Sequence, residues 1–164
     1  PTHLLLSALH KDVANAYYHW FFLAQPAPFP ETMITHDPDA YYESCLSGWN
    51  GGSMAGFSPQ ALAAYRRAWQ DPACRRAMCD DYRAAVTLDF EDDSADLDRS
   101  VGCPSLLLYG GDGAMARAYD VPATWADRLS NMQSAALPGG HFFVDAHPEM
   151  TADILARFLD ETAT

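Results

Sequence analysis

Basic side chains are scarce. Ten Lys and Arg stand against 22 Asp and Glu, leaving a net charge of −12 over 164 residues. Nucleic acid and anionic membrane surfaces both need concentrated Lys and Arg, so this balance argues against either as a partner. A small anionic substrate, needing only one or two local cations, stays compatible with it. Cysteine is sparse as well. Cys45, Cys74, Cys79 and Cys103 form neither a C-x-x-C pair nor a metal-ligand spacing. No metal site is expected from them, and they read as reduced thiols of a cytosolic protein. Long hydrophobic runs are missing too. The longest largely apolar stretch, Ala16 to Ala24, even contains His19 and falls far short of the roughly 20 residues that cross a bilayer. No signal-peptide pattern opens the chain.

What is present suits one globular domain with a real core, at 49% apolar residues. The segment from about Leu4 to Gln25 has a helical pattern, stopped by Pro26-Ala-Pro28-Phe-Pro30. A short helix is expected around Asp39 to Leu46, then a glycine-rich loop from Gly48 to Gly56. Ser58-Pro59 and Asp71-Pro72 each supply an N-cap and a first-turn proline for two further helices. On the second, Cys74, Met78, Tyr82 and Ala85 share one face, which points Tyr82 inward. The acidic stretch Asp89 to Asp98 reads as a solvated connector.

From Cys103 the pattern changes. Pro104 to Tyr109 is a short apolar run ended by Gly110-Gly111, which fits a buried parallel strand. A helix over Asp120 to Leu129, a weaker strand over Met132 to Leu137 and a final helix opened by Pro148 follow. The apolar face of that last helix is Met150, Ile154, Leu155, Phe158 and Leu159. Helices followed by strand, helix, strand, helix suggest an α/β architecture: a helical insertion leading into the tail of a doubly wound sheet. Two strands cannot by themselves make a sheet covered on both faces. Because Pro1 opens a segment already helical in pattern, the remaining core strands are expected upstream of it.

The strongest candidate for chemistry is His141, in a glycine-rich turn directly after the second strand. Ligands gather at the C-terminal ends of strands in open α/β sheets, and a histidine there is placed to act as a general base. The alternative is a loop histidine satisfied by solvent. Gly51-Gly52-Ser53-Met54-Ala55 resembles a nucleophile elbow, but ends in Ala and follows no strand, and it reads as loop. Asp112, in Gly110-Gly111-Asp112-Gly113, does follow a strand. Nucleophile, acid orienting His141 and turn residue all remain open for it. Tyr17, Tyr18, His19 and Trp20 form a second constellation with Tyr82. It is either an aromatic core with a satisfied histidine or a set of neutral N–H and O–H donors in an apolar wall, able to hold a leaving anion.

Three strings carry a resemblance: Tyr18-His-Trp-Phe-Phe-Leu-Ala-Gln-Pro26, Met78-Cys-Asp-Asp-Tyr-Arg-Ala84 and Leu137-Pro-Gly-Gly-His-Phe142. Together and in this order they resemble the haloacetate and fluoroacetate dehalogenases of the α/β-hydrolase superfamily. The resemblance implies a helical cap over residues 1–90 and the C-terminal part of the hydrolase core over residues 91–164. It implies an aspartate nucleophile that displaces halide from the α-carbon of a short haloacid, and a histidine that activates water against the resulting ester. By position His141 is that histidine, His19, Trp20 and Tyr82 are the halide-binding donors, and Trp49 lines the pocket. The family's nucleophile elbow, oxyanion segment, carboxylate-clamping arginines and orienting acid all precede the matched region, which leaves Asp112 a weaker claim to the acid's role. No cofactor is implied, and a homodimer is. Under this expectation the segment is inactive alone, and two rivals accompany it: an epoxide hydrolase, with Tyr82 as a proton donor, and a non-enzymatic truncated domain stable only through partners or dimerisation.

Overall fold

The computed structural model describes residues 2–9 and 11–163. It opens with three short helices, α1 (Thr2–Ser7), α2 (Lys11–Ala16) and α3 (Tyr18–Leu23). The single helix expected from Leu4 to Gln25 is therefore broken. The break at Tyr17 (φ −114°, ψ 34°) has a partner that spacing could not reveal. The Ala16 carbonyl accepts the indole N–H of Trp49 at 3.0 Å, which satisfies one of the acceptors a helix end leaves free.

The cap continues with α4 (Phe29–Thr35), α5 (Pro38–Trp49), α6 (Pro59–Gln70) and α7 (Pro72–Ala85). The last three start by one device: a side-chain oxygen on the first turn's backbone, then proline. Asp37 accepts from the Ala40 N–H at 2.9 Å, Ser58 from Ala61 at 3.1 Å and Asp71 from Ala73 at 2.9 Å. Their shared core is Leu23, Ile34, Tyr42, Trp69 and Cys79. On α7 the buried stripe is centred on Arg75 and Cys79, one residue off the expected Cys74 and Met78, and Met78 is exposed. Tyr82 does turn inward and packs against that core.

The expected acidic connector is a helix, α8 (Leu88–Ala95). Asp89 and Glu91 lie in its first turn, where negative charge complements the helix dipole. Asp93 anchors it: one carboxylate oxygen meets Arg128 Nη2 at 2.7 Å and the other accepts the backbone N–H of His3 at 2.8 Å.

The second half contains β1 (Ser105–Gly110), α9 (Ala114–Ala118), α10 (Val121–Ala126), β2 (Met132–Leu137), α11 (Phe143–Ala146) and α12 (Pro148–Thr162). The strands run parallel, in register from Ser105 opposite Met132 to Gly110 opposite Leu137. The helix expected over Asp120 to Leu129 is shorter at both ends. The C-terminal ends of both strands face the cap, and the turns leaving them carry Asp112 and His141.

Candidate active site

His141 follows β2 through Pro138, Gly139 and Gly140. The path is tightly constrained. Gly139 has φ +97°, and a side chain on Gly140 would lie 2.5 Å from the Trp49 carbonyl oxygen, so both positions require glycine. The His141 backbone N–H donates to that same carbonyl at 3.3 Å. The C-terminal end of α5 thus rests directly on the histidine's main chain.

The imidazole of His141 meets Phe142, Trp49 and Tyr17 edge-on, with ring centres 5.1, 5.8 and 6.2 Å away. His141 remains exposed. Even so, enough protein surrounds it for desolvation to lower its pKa below the ordinary histidine value. It borders three cavities of about 360, 470 and 330 Å³. The last lies within the cap and is lined also by Tyr42, Trp49, Trp69 and Tyr82.

The other predicted residues form one continuous series of rings behind His141. Trp49 lies between the two histidines, with its ring centre 4.1 Å from that of His19. His19 meets Tyr82 edge-on at 5.4 Å, and Tyr82 meets Trp20 edge-on at 5.7 Å. His19 is 3% exposed, and its Nδ1 has no hydrogen-bond partner among the described residues. Burial, assisted by His141 nearby, pulls its pKa down to about 4, so the ring is neutral at physiological pH. Burial likewise raises the pKa of the Tyr82 phenol. The wall therefore presents neutral donors. Trp49 contributes a ring face, because its N–H is already given to Ala16.

Asp112 lies in the turn after β1. Its Oδ2 accepts the Gly139 N–H at 2.8 Å, and its own N–H donates to the Gly139 carbonyl at 3.0 Å. Ser53 lies in a turn after α5 with no strand before it. Its hydroxyl accepts the Ala55 N–H at 3.0 Å, a loop role. Tyr17, a member of the expected aromatic constellation, is buried and stacks on Trp49 at 6.4 Å with an 8° interplanar angle. Sequence reasoning missed the contact of Tyr65, whose hydroxyl donates to Asp145 at 3.0 Å, tying the cap to the helix after His141. Helical spacing marks Tyr65 as part of its helix but carries no signal of so distant a partner. All four cysteines are free thiols. Among the described residues no cluster suited to a metal ion occurs, and no helix is long and apolar enough to cross a membrane.

No family model matches the chain. Fluoroacetate dehalogenase from a Burkholderia species is 49% identical over 161 residues, which are 98% of this chain and 53% of that protein. Three solved structures share the fold closely. A Salmonella enterica protein provisionally described as an acyltransferase superposes with a TM-score of 0.92 at 40% identity, over 99% of this chain and 54% of that one. A Nostoc sp. PCC 7120 protein provisionally described as an α/β hydrolase gives 0.92 at 43%, over 97% and 54%. A Pseudomonas aeruginosa protein provisionally described as an epoxide hydrolase gives 0.89 at 35%, over 99% and 55%. The chain has the fold of the C-terminal part of an α/β hydrolase. It is similar to the C-terminal portion of fluoroacetate dehalogenase, and it spans about half the length of the relatives it matches.

Proposed function

We propose that the full-length protein releases halide from short haloacids, with His141 as the base and His19, Trp20 and Tyr82 as donors to the departing halide. The observation that carries this reading is the continuous ring series from His141 through Trp49 to His19, Tyr82 and Trp20, which includes a buried imidazole nitrogen with no hydrogen-bond partner among the described residues. A carboxylate nucleophile, outside the residues described here, attacks the α-carbon. The carbon–halogen bond breaks, and halide leaves with the electron pair. Neutral donors in a dry wall stabilise that developing anion without demanding a charged partner. His141 then takes a proton from water, whose oxygen attacks the ester carbonyl, freeing hydroxyacid and restoring the carboxylate. Trp49 lines the pocket with its ring face.

Halide release from fluoroacetate and chloroacetate by the full-length protein tests this reading. His141→Ala should lower turnover by at least about 10²-fold. Tyr82→Phe removes one donor to the leaving group and should cost about 10²-fold with fluoroacetate, and clearly less with chloroacetate, since fluoride is the poorer leaving group. Equal losses on both substrates would remove the halide role. The similarity to a protein provisionally described as an epoxide hydrolase, together with the inward-turned Tyr82, supports a second reading in which that phenol protonates an opening epoxide. Diol formation without halide release would favour it.

A further inference from the structure

We infer that Asp112 is a positioning residue for His141, acting through the backbone of the loop that carries it. This rests on the reading of His141 as the base. The loop is held between two fixed elements. On the sheet side, Asp112 makes a paired contact with Gly139: carboxylate to N–H at 2.8 Å and N–H to carbonyl at 3.0 Å. The turn bearing Asp112 is itself fixed, because Arg117 donates from its guanidinium to the Asp112 carbonyl and the Gly113 N–H donates to the Gly110 carbonyl at 3.2 Å. On the cap side, the Trp49 carbonyl takes the His141 N–H.

The clearances are those of backbone against backbone. A side chain on Gly110 would run into the Gly140 carbonyl oxygen. Gly139 and Gly140 have no side chains with which to hold themselves, and Gly139 sits at φ +97°. Two consecutive glycines before a base have many conformations open to them. The Asp112 carboxylate is the side chain that selects this one. Hydrogen bonds from a backbone N–H to a carboxylate are among the stronger ones in proteins, and a base displaced by about 1 Å can lose about 10²-fold in rate. Asp112 thus works on the main chain two residues before His141, whereas an orienting acid would work on the imidazole.

The test compares Asp112→Ala and Asp112→Asn in the full-length protein. Amide hydrogen exchange at Gly139 and steady-state kinetics with fluoroacetate are the two readouts. Asparagine keeps an oxygen that accepts the Gly139 N–H, so it should retain kcat within about 3-fold and near-native Gly139 protection. Alanine should speed Gly139 exchange about 10-fold and lower kcat by about 10- to 100-fold at unchanged KM. Equal losses in both variants overturn the inference, since an acid that orients the imidazole tautomer cannot be replaced by its amide. Unchanged Gly139 exchange in Asp112→Ala overturns it as well. Should the wild-type protein release no halide, the functional reading fails, while the exchange experiment still decides whether Asp112 holds the loop.

Discussion

The two histidines of the site respond to acid in the same direction, and His19 more strongly. In the folded protein its pKa is near 4, against an ordinary 6.5, because burial penalises the imidazolium. An unfolded chain therefore binds a proton at this position between pH 6.5 and 4 that the folded protein does not bind. Stability contributed by neutral His19 is complete above pH 6.5 and is lost as pH falls through that window. Urea midpoints measured from pH 7 to 4 should drop for the wild-type protein and drop less steeply for His19→Phe, which cannot take up the proton. Parallel curves would mean that His19 is hydrated in solution. His141 has only a lowered pKa, so the acid limb of kcat/KM should fall below the pH of an unperturbed histidine.

Among the elements, one arginine accounts for the one-residue offset of the buried face of α7. Arg75 is 6% exposed. Its Nη1 donates to the Trp69 carbonyl at 2.7 Å and the Gln70 carbonyl at 2.9 Å, so a cation closes the C-terminal end of α6. Arg75→Ala leaves those carbonyls without their donor and should destabilise the protein by about 2–4 kcal/mol. Its neighbour Arg76 is the control. That side chain is 75% exposed and reaches Asp80 only at 3.6 Å, so Arg76→Ala should change stability by less than about 0.5 kcal/mol. Chemical denaturation of both variants measures the contrast.

What could be read from the sequence was local. Ser58-Pro59 and Asp71-Pro72 marked the starts of α6 and α7, and the apolar runs at 104–109 and 132–137 marked the strands. The breaks were not legible, because distant partners make them. Tyr17 interrupts a helical pattern where Trp49 needs the Ala16 carbonyl, and α8 is helical because Arg128 and the His3 backbone hold Asp93. The same division runs through the site. Position after a strand singled out His141, the aromatic pattern raised His19, Trp20 and Tyr82, and resemblance added Trp49 and gave each of them its role. The backbone contacts at Gly139 and Gly140 had no trace in composition or period.

On the scale of the whole molecule, the accessible surface is larger than a chain of this mass should have. It is 9758 Å², where a compact monomer of 18.0 kDa would expose about 8,000 Å². The excess, about 1,700 Å², matches the total area of a standard protein–protein interface. It has an identifiable location. Met150, Leu155 and Leu159 on α12 are 45, 43 and 62% exposed, although they belong to the face that the helical pattern assigned to a core. Of the two strands, β1 is only half-buried along its length, against the full burial usual for parallel sheets. Both features fit the C-terminal part of a larger sheet. These 164 residues expressed alone should therefore self-associate at micromolar concentrations, with the weight-average mass rising with concentration in sedimentation equilibrium. Leu155→Lys combined with Leu159→Lys should reduce that association by placing charge on the exposed face. A monomer that melts cooperatively and binds no hydrophobic dye would contradict this. Its core would then close without further strands, and the excess area would have to be ordinary surface.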